Sequence, residues 1–163
     1  MYDFLLRTLL AGAGATAIMD LWALTLRIVF GIHSLDYALV GRWLLWMRKG
    51  RFRHRTIART PAAPGEKPTG WAAHYLIGIA FAAIPSLLAG KNWLVTPDFV
   101  TAWFSGVISL SAPFFILQPA FGFGIAAAKT PFPARARLFS FLAHSAYGVG
   151  LFISAASINL LLR

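Results

Sequence analysis

Four long apolar stretches dominate the chain, and each is bounded by polar, glycine or proline residues. A helix rises about 1.5 Å per residue, so roughly 20 residues cross the hydrocarbon core of a bilayer. The stretches at 4–30, 71–90, 99–118 and 138–162 meet that length and predict four transmembrane helices. A shorter segment, 35–49, mixes tryptophan and leucine with arginine and lysine, which is typical of an amphipathic helix lying in the membrane interface.

Composition agrees with this pattern. The chain has 163 residues, of which 58% are hydrophobic and 12% are charged, whereas soluble domains carry about 25% charged residues. We therefore expect one all-α transmembrane domain over 1–163, a bundle of four spans plus the interfacial helix. Pro113 predicts a kink or break in the third span. Without cysteine, the chain has no thiolate metal site or cysteine nucleophile.

A basic loop at 50–70 follows the predicted interfacial helix. Its composition predicts no regular structure past Thr60, and His54 is expected to be solvated among arginines. The net charge of +10 is concentrated in and around this loop, which indicates anionic lipid rather than nucleic acid as the partner. The candidate headgroup ligands are basic side chains at the start of the loop: Arg48, Lys49, Arg51, Arg53 and Arg55.

The distribution of Lys and Arg also predicts the topology. The first and third loops carry most of these residues, and the opposite side carries few. By the positive-inside rule both basic loops lie in the cytoplasm and both termini lie outside. We expect the bacterial inner membrane to be the location.

Asp20 lies near the middle of the first apolar stretch, where an acid is costly. Helical spacing puts it on one face with the small residues Ala13, Thr16 and Ala17, and with Arg27 further along. Small residues let another helix approach closely. This face is therefore predicted to point into the bundle.

The predicted topology places five polar residues in the cytoplasmic half of the bundle: Asp20, Arg27, His74, Gln118 and His144. Asp20 would lie about ten residues, or roughly 15 Å, from the cytoplasmic end of its helix. Ionisable residues at such depth are rare and usually face the interior or a water-filled cavity. We expect these residues to form an intramembrane polar site.

The two histidines share a local pattern, A-H-x-x-x-G, at His74 with Gly78 and at His144 with Gly148. In each helix the glycine lies one turn beyond the histidine on the same face. That leaves room beside the ring for a bound group or for a closely packed helix.

Several functions fit these residues. In the leading hypothesis a small-solute or proton-linked transporter uses Asp20 as the protonatable group and the histidines as relay groups. In the first alternative His74 and His144 ligate haem, or hold a divalent metal together with Asp20. In the second, the polar residues hold helices together in a structural or assembly subunit. No catalytic set is evident, so we lean against an enzyme, and the small enclosed volume favours a homodimer.

Four segments, GATAIMDLWAL (14–24), GWAAHYLIGIAF (70–81), APFFILQPAFGFGIAAAKTP (112–131) and RLFSFLAHSAYGVGL (137–151), resemble bacterial inner-membrane proteins filed as domain of unknown function 2938. The resemblance covers nearly the whole chain. It implies a four-span membrane protein and no activity, so the residues themselves carry the functional hypotheses.

Overall fold

The computed structural model of the protein describes residues 2–161, and every regular element among them is helical. The all-α prediction is therefore confirmed. The helices are α1 (Tyr2–Phe30), α2 (Tyr37–Met47), α3 (Glu66–Phe81), α4 (Ile84–Ala89), α5 (Phe99–Ser109), α6 (Gln118–Phe121) and α7 (Pro133–Leu161).

Four helical segments are long and apolar enough to cross a membrane: Asp3–Phe30, Glu66–Ala89, Phe99–Phe121 and Pro133–Leu161. They correspond to the four predicted spans. Many of their large apolar side chains are exposed, among them Leu21, Ile28, Leu76, Leu87 and Leu160. Such a surface suits contact with lipid rather than with water.

Two spans begin earlier than predicted, and proline explains both differences. The second span begins at Glu66 with Pro68 in its first turn, and the fourth begins directly at Pro133. The first N–H groups of a helix have no intrahelical acceptor, so proline costs little there. The sequence predicts that these prolines belong to loops and that the two helices begin at residues 71 and 138.

At Pro113, where the sequence predicts a kink or a break, the regular α-helix of the third span is interrupted but the span continues. The segment Pro113–Leu117 forms a π-helical turn, and the helix resumes as α6 and continues to Phe121. Because proline lacks an N–H group, a wider turn accommodates it without ending the helix. Gly122 then ends the span with a left-handed backbone (φ 87°), and the Phe123 N–H donates to the Gln118 carbonyl over 2.8 Å.

The described residues form two compact units. The first unit comprises residues 2–33, 75–109 and 141–161, and its core combines small residues with a few large ones. Its buried residues include Ala11, Ala15, Leu94, Tyr147 and Leu151. At Gly150 a Cβ would lie 2.8 Å from the Cα of Ala15, so α1 and α7 approach at backbone distance.

The second unit comprises residues 34–74 and 110–140, and its core surrounds Ile57 and Phe121, both fully buried. It contains α2, which the sequence predicted as the interfacial helix at 35–49. Asp36 caps α2 by accepting the Ala38 N–H over 2.9 Å. The basic loop in this unit includes a 3₁₀ turn, Ile57–Arg59, which the sequence did not predict.

Candidate functional site

Asp20 lies in the first unit on α1, where its side chain is partly buried. The hydroxyl of Tyr75 on α3 is hydrogen-bonded to the Asp20 carboxyl. One turn before Asp20, Thr16 is 1% exposed and its side chain contacts Gly78 of α3. The face of α1 that was predicted to point inward therefore packs on α3 at Thr16 and reaches Tyr75 through Asp20.

The sequence reading identified Asp20 and missed Tyr75. Aromatic residues are frequent in these spans, and nothing in the spacing distinguishes Tyr75 from its neighbours. The available signal was the Tyr75 hydroxyl itself, because Tyr75 directly follows His74 and the next residues of the helix are apolar.

His144 lies on α7, also in the first unit, where its Nδ1 atom is 2.7 Å from the Ser109 hydroxyl oxygen. That hydroxyl donates to the Gly106 carbonyl over 2.6 Å. A serine hydroxyl has a single proton, so Nδ1 of His144 donates to the Ser109 oxygen. The His144 ring is thereby held against α5 by a defined hydrogen-bond chain.

His74 lies in the second unit, at the last residue of α3 that belongs to it. Its ring stacks on Tyr37 of α2, with centroids 3.9 Å apart and an interplanar angle of 21°. Trp71 meets Tyr37 edge to face at 4.9 Å. An aromatic cluster therefore joins α2 to the beginning of the second span.

The glycines of the two A-H-x-x-x-G patterns contact neighbouring helices. The space beside Gly78 is occupied by the Thr16 side chain of α1. At Gly148 a Cβ would lie 2.8 Å from the Cα of Trp103, so α5 occupies that space. Of the two explanations offered by the sequence, close helix packing is the one present here.

Arg27 and Gln118 complete the predicted set. Arg27 is exposed in the last turn of α1, and Leu24 before it is 49% exposed, so the inward-facing stripe ends near Asp20. Gln118 lies in the second unit, where its Oε1 atom is buried without a hydrogen-bond partner among residues 2–161. Thus Asp20, Arg27 and His144 belong to one unit, and His74 and Gln118 to the other.

A metal-binding cluster was a second expectation for these residues. Within the described part of the chain, no group of three or more His, Cys, Asp or Glu side chains is arranged to hold a metal ion. The geometry therefore adds no support to the haem or metal hypothesis, which stays a prediction.

The second unit contains an ion pair that organises the basic loop. Arg42 of α2 binds Glu66 at the start of α3 through Nε and Nη2, both at 2.8 Å, and both side chains are largely buried. The Glu66 hydrogen bond raises the pKa of Arg42. Nη1 of Arg42 donates to the carbonyls of Ile57 (3.3 Å) and Thr60 (3.0 Å), so one guanidinium joins α2, α3 and the loop.

Two tryptophans of α2 also hold the loop. The indole N–H of Trp43 donates to the Phe52 carbonyl over 2.9 Å, and that of Trp46 donates to the Pro61 carbonyl over 3.1 Å. The loop between these two carbonyls is therefore anchored to α2 at both ends.

His54 is 4% exposed, so the expectation that it is solvated was wrong. Its backbone N–H donates to the Ala120 carbonyl over 2.8 Å, and its Nδ1 lies 2.9 Å from the Thr60 hydroxyl. Burial, and secondarily the charge of Arg51, lowers the pKa of His54. A contact with residue 120, distant in sequence, removes His54 from water, which local composition could not reveal.

The predicted headgroup ligands are all exposed: Arg48, Lys49, Arg51, Arg53 and Arg55. Lys49 Nζ lies 4.6 Å, and the Arg51 guanidinium carbon 5.6 Å, from the centre of the Trp46 ring. Cations whose side chains lie against a tryptophan ring are suited to headgroup contact if this helix lies in the interface as predicted. Lipid binding by this set stays a prediction.

Residues 9–158 match the family model described as "Protein of unknown function (DUF2938)". This is the family that the four quoted segments resemble. No curated protein and no solved structure matches the chain significantly.

Proposed function

The chain belongs to the family of proteins of unknown function DUF2938, which supplies no activity, so we propose one from the structure. We propose that the protein is a small transporter of the bacterial inner membrane that works through Asp20 and Tyr75. The transported species is a small solute, a proton, or both together. That the chain is a membrane protein rests on its four long apolar helices.

The observation that carries the proposal is the hydrogen bond between Asp20 and Tyr75 inside the spans. An acid in the middle of an apolar helix costs several kcal/mol, roughly 2.5–3.5 by insertion scales, and such residues commonly mark proton or substrate paths. One turn before Asp20, the Thr16 side chain packs against Gly78 of α3. This contact fixes α1 against α3 next to the hydrogen bond between Asp20 and Tyr75.

The pair has the chemistry that a proton step requires. A tyrosine hydroxyl both donates and accepts hydrogen bonds, so it can donate to the ionised carboxylate and accept from the protonated acid. Asp20 can gain or lose a proton while the interaction with Tyr75 persists. His144 and Ser109 form a second polar link in the same unit, between α7 and α5.

We propose the orientation that the charge distribution favours, with the basic loop in the cytoplasm and both termini outside. The loop at 50–70 and the segment 129–137, which includes the first turn of α7, carry the concentrated Lys and Arg residues. Anionic lipid is the proposed membrane partner. Homodimerisation, haem or metal binding and a role as an assembly subunit stay predictions.

The proposal is tested with everted membrane vesicles that contain the full chain, loaded with a pH-sensitive dye and challenged with a panel of small anions, cations and neutral metabolites. We expect at least one solute to change the internal pH, and we expect this response to disappear in Asp20→Asn. Thr25→Val is the matched control, because Thr25 is an exposed residue of the same helix that bonds only to the Leu21 carbonyl. Equal responses from wild type and Asp20→Asn, at equal protein levels, would overturn the proposal.

A further inference from the structure

A polar cavity of about 370 Å³ lies in the basic loop of the second unit. It is lined by Arg51, Arg55, Thr56, Arg59, Thr60 and Pro61. Small-molecule sites commonly measure about 300–1,000 Å³, so the volume accommodates a small ligand or a headgroup. Most such sites are lined by apolar residues, whereas three of the six residues that line this one are arginines.

The cavity wall is fixed at several points. The 3₁₀ turn holds the backbone between Ile57 and Arg59, with the Arg59 N–H bonded to the Thr56 carbonyl over 3.1 Å. The Trp46 indole anchors Pro61. Gly122 packs directly against the Arg55 carbonyl, at a backbone conformation (φ 87°) that L side chains rarely adopt.

The polar floor of the cavity is equally constrained. Thr60 is buried, and its hydroxyl meets Nδ1 of His54, itself 4% exposed, at 2.9 Å. Arg42 binds the Thr60 carbonyl. The three arginines therefore project from a backbone that is already ordered, so little backbone conformational entropy is lost when an anion binds them.

No acid of the second unit neutralises these arginines. This unit carries eight Lys and Arg residues in 34–74 and three in 110–140, against two acids, Asp36 and Glu66. Asp36 caps α2, and Glu66 is bound by Arg42 and by the Ala63 N–H. Like charges grouped without counter-charges repel one another, and a bound anion removes that cost.

We propose that this cavity binds the phosphate group of a phosphate ester at the membrane surface through Arg51, Arg55 and Arg59. Guanidinium groups form paired hydrogen bonds to phosphate oxygens, which lysine cannot do. Arg51 lies against the ring of Trp46, and tryptophan favours the headgroup level of a bilayer. A lipid headgroup and a soluble phosphate ester share this chemistry, and the experiment separates them.

This site differs from the general headgroup surface predicted from sequence. It includes Arg59, which that prediction omitted, and it leaves out Arg48, Lys49 and Arg53. It is also independent of the transport proposal, because no residue of the intramembrane pair contributes to it.

The test is microcalorimetry on the purified full chain in a zwitterionic detergent, titrated separately with dioctanoyl-phosphatidylglycerol, glycerol 3-phosphate and inorganic phosphate. The site variant is Arg51→Gln/Arg55→Gln/Arg59→Gln. The matched control, Arg48→Gln/Lys49→Gln/Arg53→Gln, removes the same charge from the same segment but leaves the cavity intact. A third variant, Arg51→Lys/Arg55→Lys/Arg59→Lys, keeps the charge and removes the paired donors.

We expect saturable binding of at least one probe, weakened at least about tenfold in the site variant and by less than about threefold in the control. The lysine variant should fall between them, and it preserves the net charge of the loop. Binding of the short-chain lipid alone would identify a lipid headgroup as the ligand. Binding of glycerol 3-phosphate or inorganic phosphate with similar affinity would identify a soluble phosphate ester.

Two results would overturn the inference. One is the absence of saturable binding by all three probes to the wild-type chain. The other is an equal loss of affinity in the site and control variants, because that would show a diffuse response to net charge.

Discussion

A phenol suits a carboxyl group inside a membrane because it stabilises both protonation states through one hydrogen bond. Asp20 and Tyr75 form such a pair in the first unit. The sequence was sufficient to identify Asp20, since an acid in an apolar helix stands out by itself. It was not sufficient to identify Tyr75, whose role depends on how α3 is rotated against α1.

We predict that Tyr75→Phe reduces solute-dependent proton movement at least about tenfold, because the hydroxyl that completes the pair is lost. Tyr147→Phe is the comparison. The Tyr147 hydroxyl is buried and donates to the Gly78 carbonyl over 2.5 Å, so its loss should cost about 1 kcal/mol of stability. Vesicle flux and thermal unfolding should therefore separate the two variants. Equal flux in both would contradict a functional role for Tyr75.

His54 gives a pH prediction for the basic loop. Its pKa is lowered in the folded chain, so below the ordinary value of about 6.5 the unfolded loop binds more protons than the folded one. Folding of the loop should therefore weaken as the pH falls through this range, and should not change above it. The positive charge of Arg51 contributes because it lowers the pKa of His54 further.

Hydrogen exchange of the His54 amide, which bonds to the Ala120 carbonyl, measures this change after correction for intrinsic pH dependence. We expect lower protection at pH 5 than at pH 7.5. His54→Gln cannot titrate and should show the same protection at both values. A wild type with unchanged protection would contradict the burial argument.

At the scale of elements, the hydrophobic pattern predicted the existence of all four spans but not their ends. An apolar run indicates which residues can lie in lipid, whereas the two ends of the helix depend on where the prolines lie. Pro68 and Pro133 are tolerated in first turns, and Pro113 is absorbed by a π turn. The ends of the first span and the C-terminal end of the last span, where no proline intervenes, agree closely with the prediction.

The ion pair between Arg42 and Glu66 joins α2 to α3 in the second unit through two hydrogen bonds. The sequence offered Glu66 only as an isolated acid in a basic loop, and its partner lies 24 residues away. Glu66→Gln should destabilise the unit by about 3 kcal/mol, because it leaves the largely buried Arg42 without its counter-charge. Limited proteolysis of the loop at 50–65 and thermal unfolding measure this effect.

Asp3→Asn is the matched control for Glu66→Gln. It removes the ion pair between Asp3 and Arg7, where the Asp3 side chain is 66% exposed. Exposed pairs contribute little, so neither proteolysis nor the unfolding temperature should change. Similar behaviour of both variants would show that the Arg42 pair does not organise the loop.

For the whole molecule, the absence of cysteine makes the proposed topology directly measurable. Single cysteines at Arg53→Cys and Lys91→Cys introduce thiols into two exposed segments without background. In intact cells we expect an impermeant thiol reagent to label Lys91→Cys, and Arg53→Cys only after the membrane is opened. The reverse pattern would invert the proposed orientation.

Membrane class and family are the firmest whole-molecule conclusions available from sequence. Composition and span length predicted the first, and the resemblance of four segments predicted the second, which the match over residues 9–158 confirms. Function could not be obtained in the same way. The sequence pattern around a polar residue in a span is similar whether that residue carries a proton or holds two helices together.

The most direct test therefore compares Asp20 with its isosteric amide, using purified protein in proteoliposomes. Asn at position 20 can still bond to Tyr75 but cannot carry a proton, so it preserves an interhelical link and removes the proposed chemistry. We predict that Asp20→Asn unfolds within about 3 °C of wild type, a difference of less than about 1 kcal/mol, and loses proton movement. An unchanged flux, or a flux lost only in proportion to unfolded protein, would contradict the account and leave Asp20 as a structural residue.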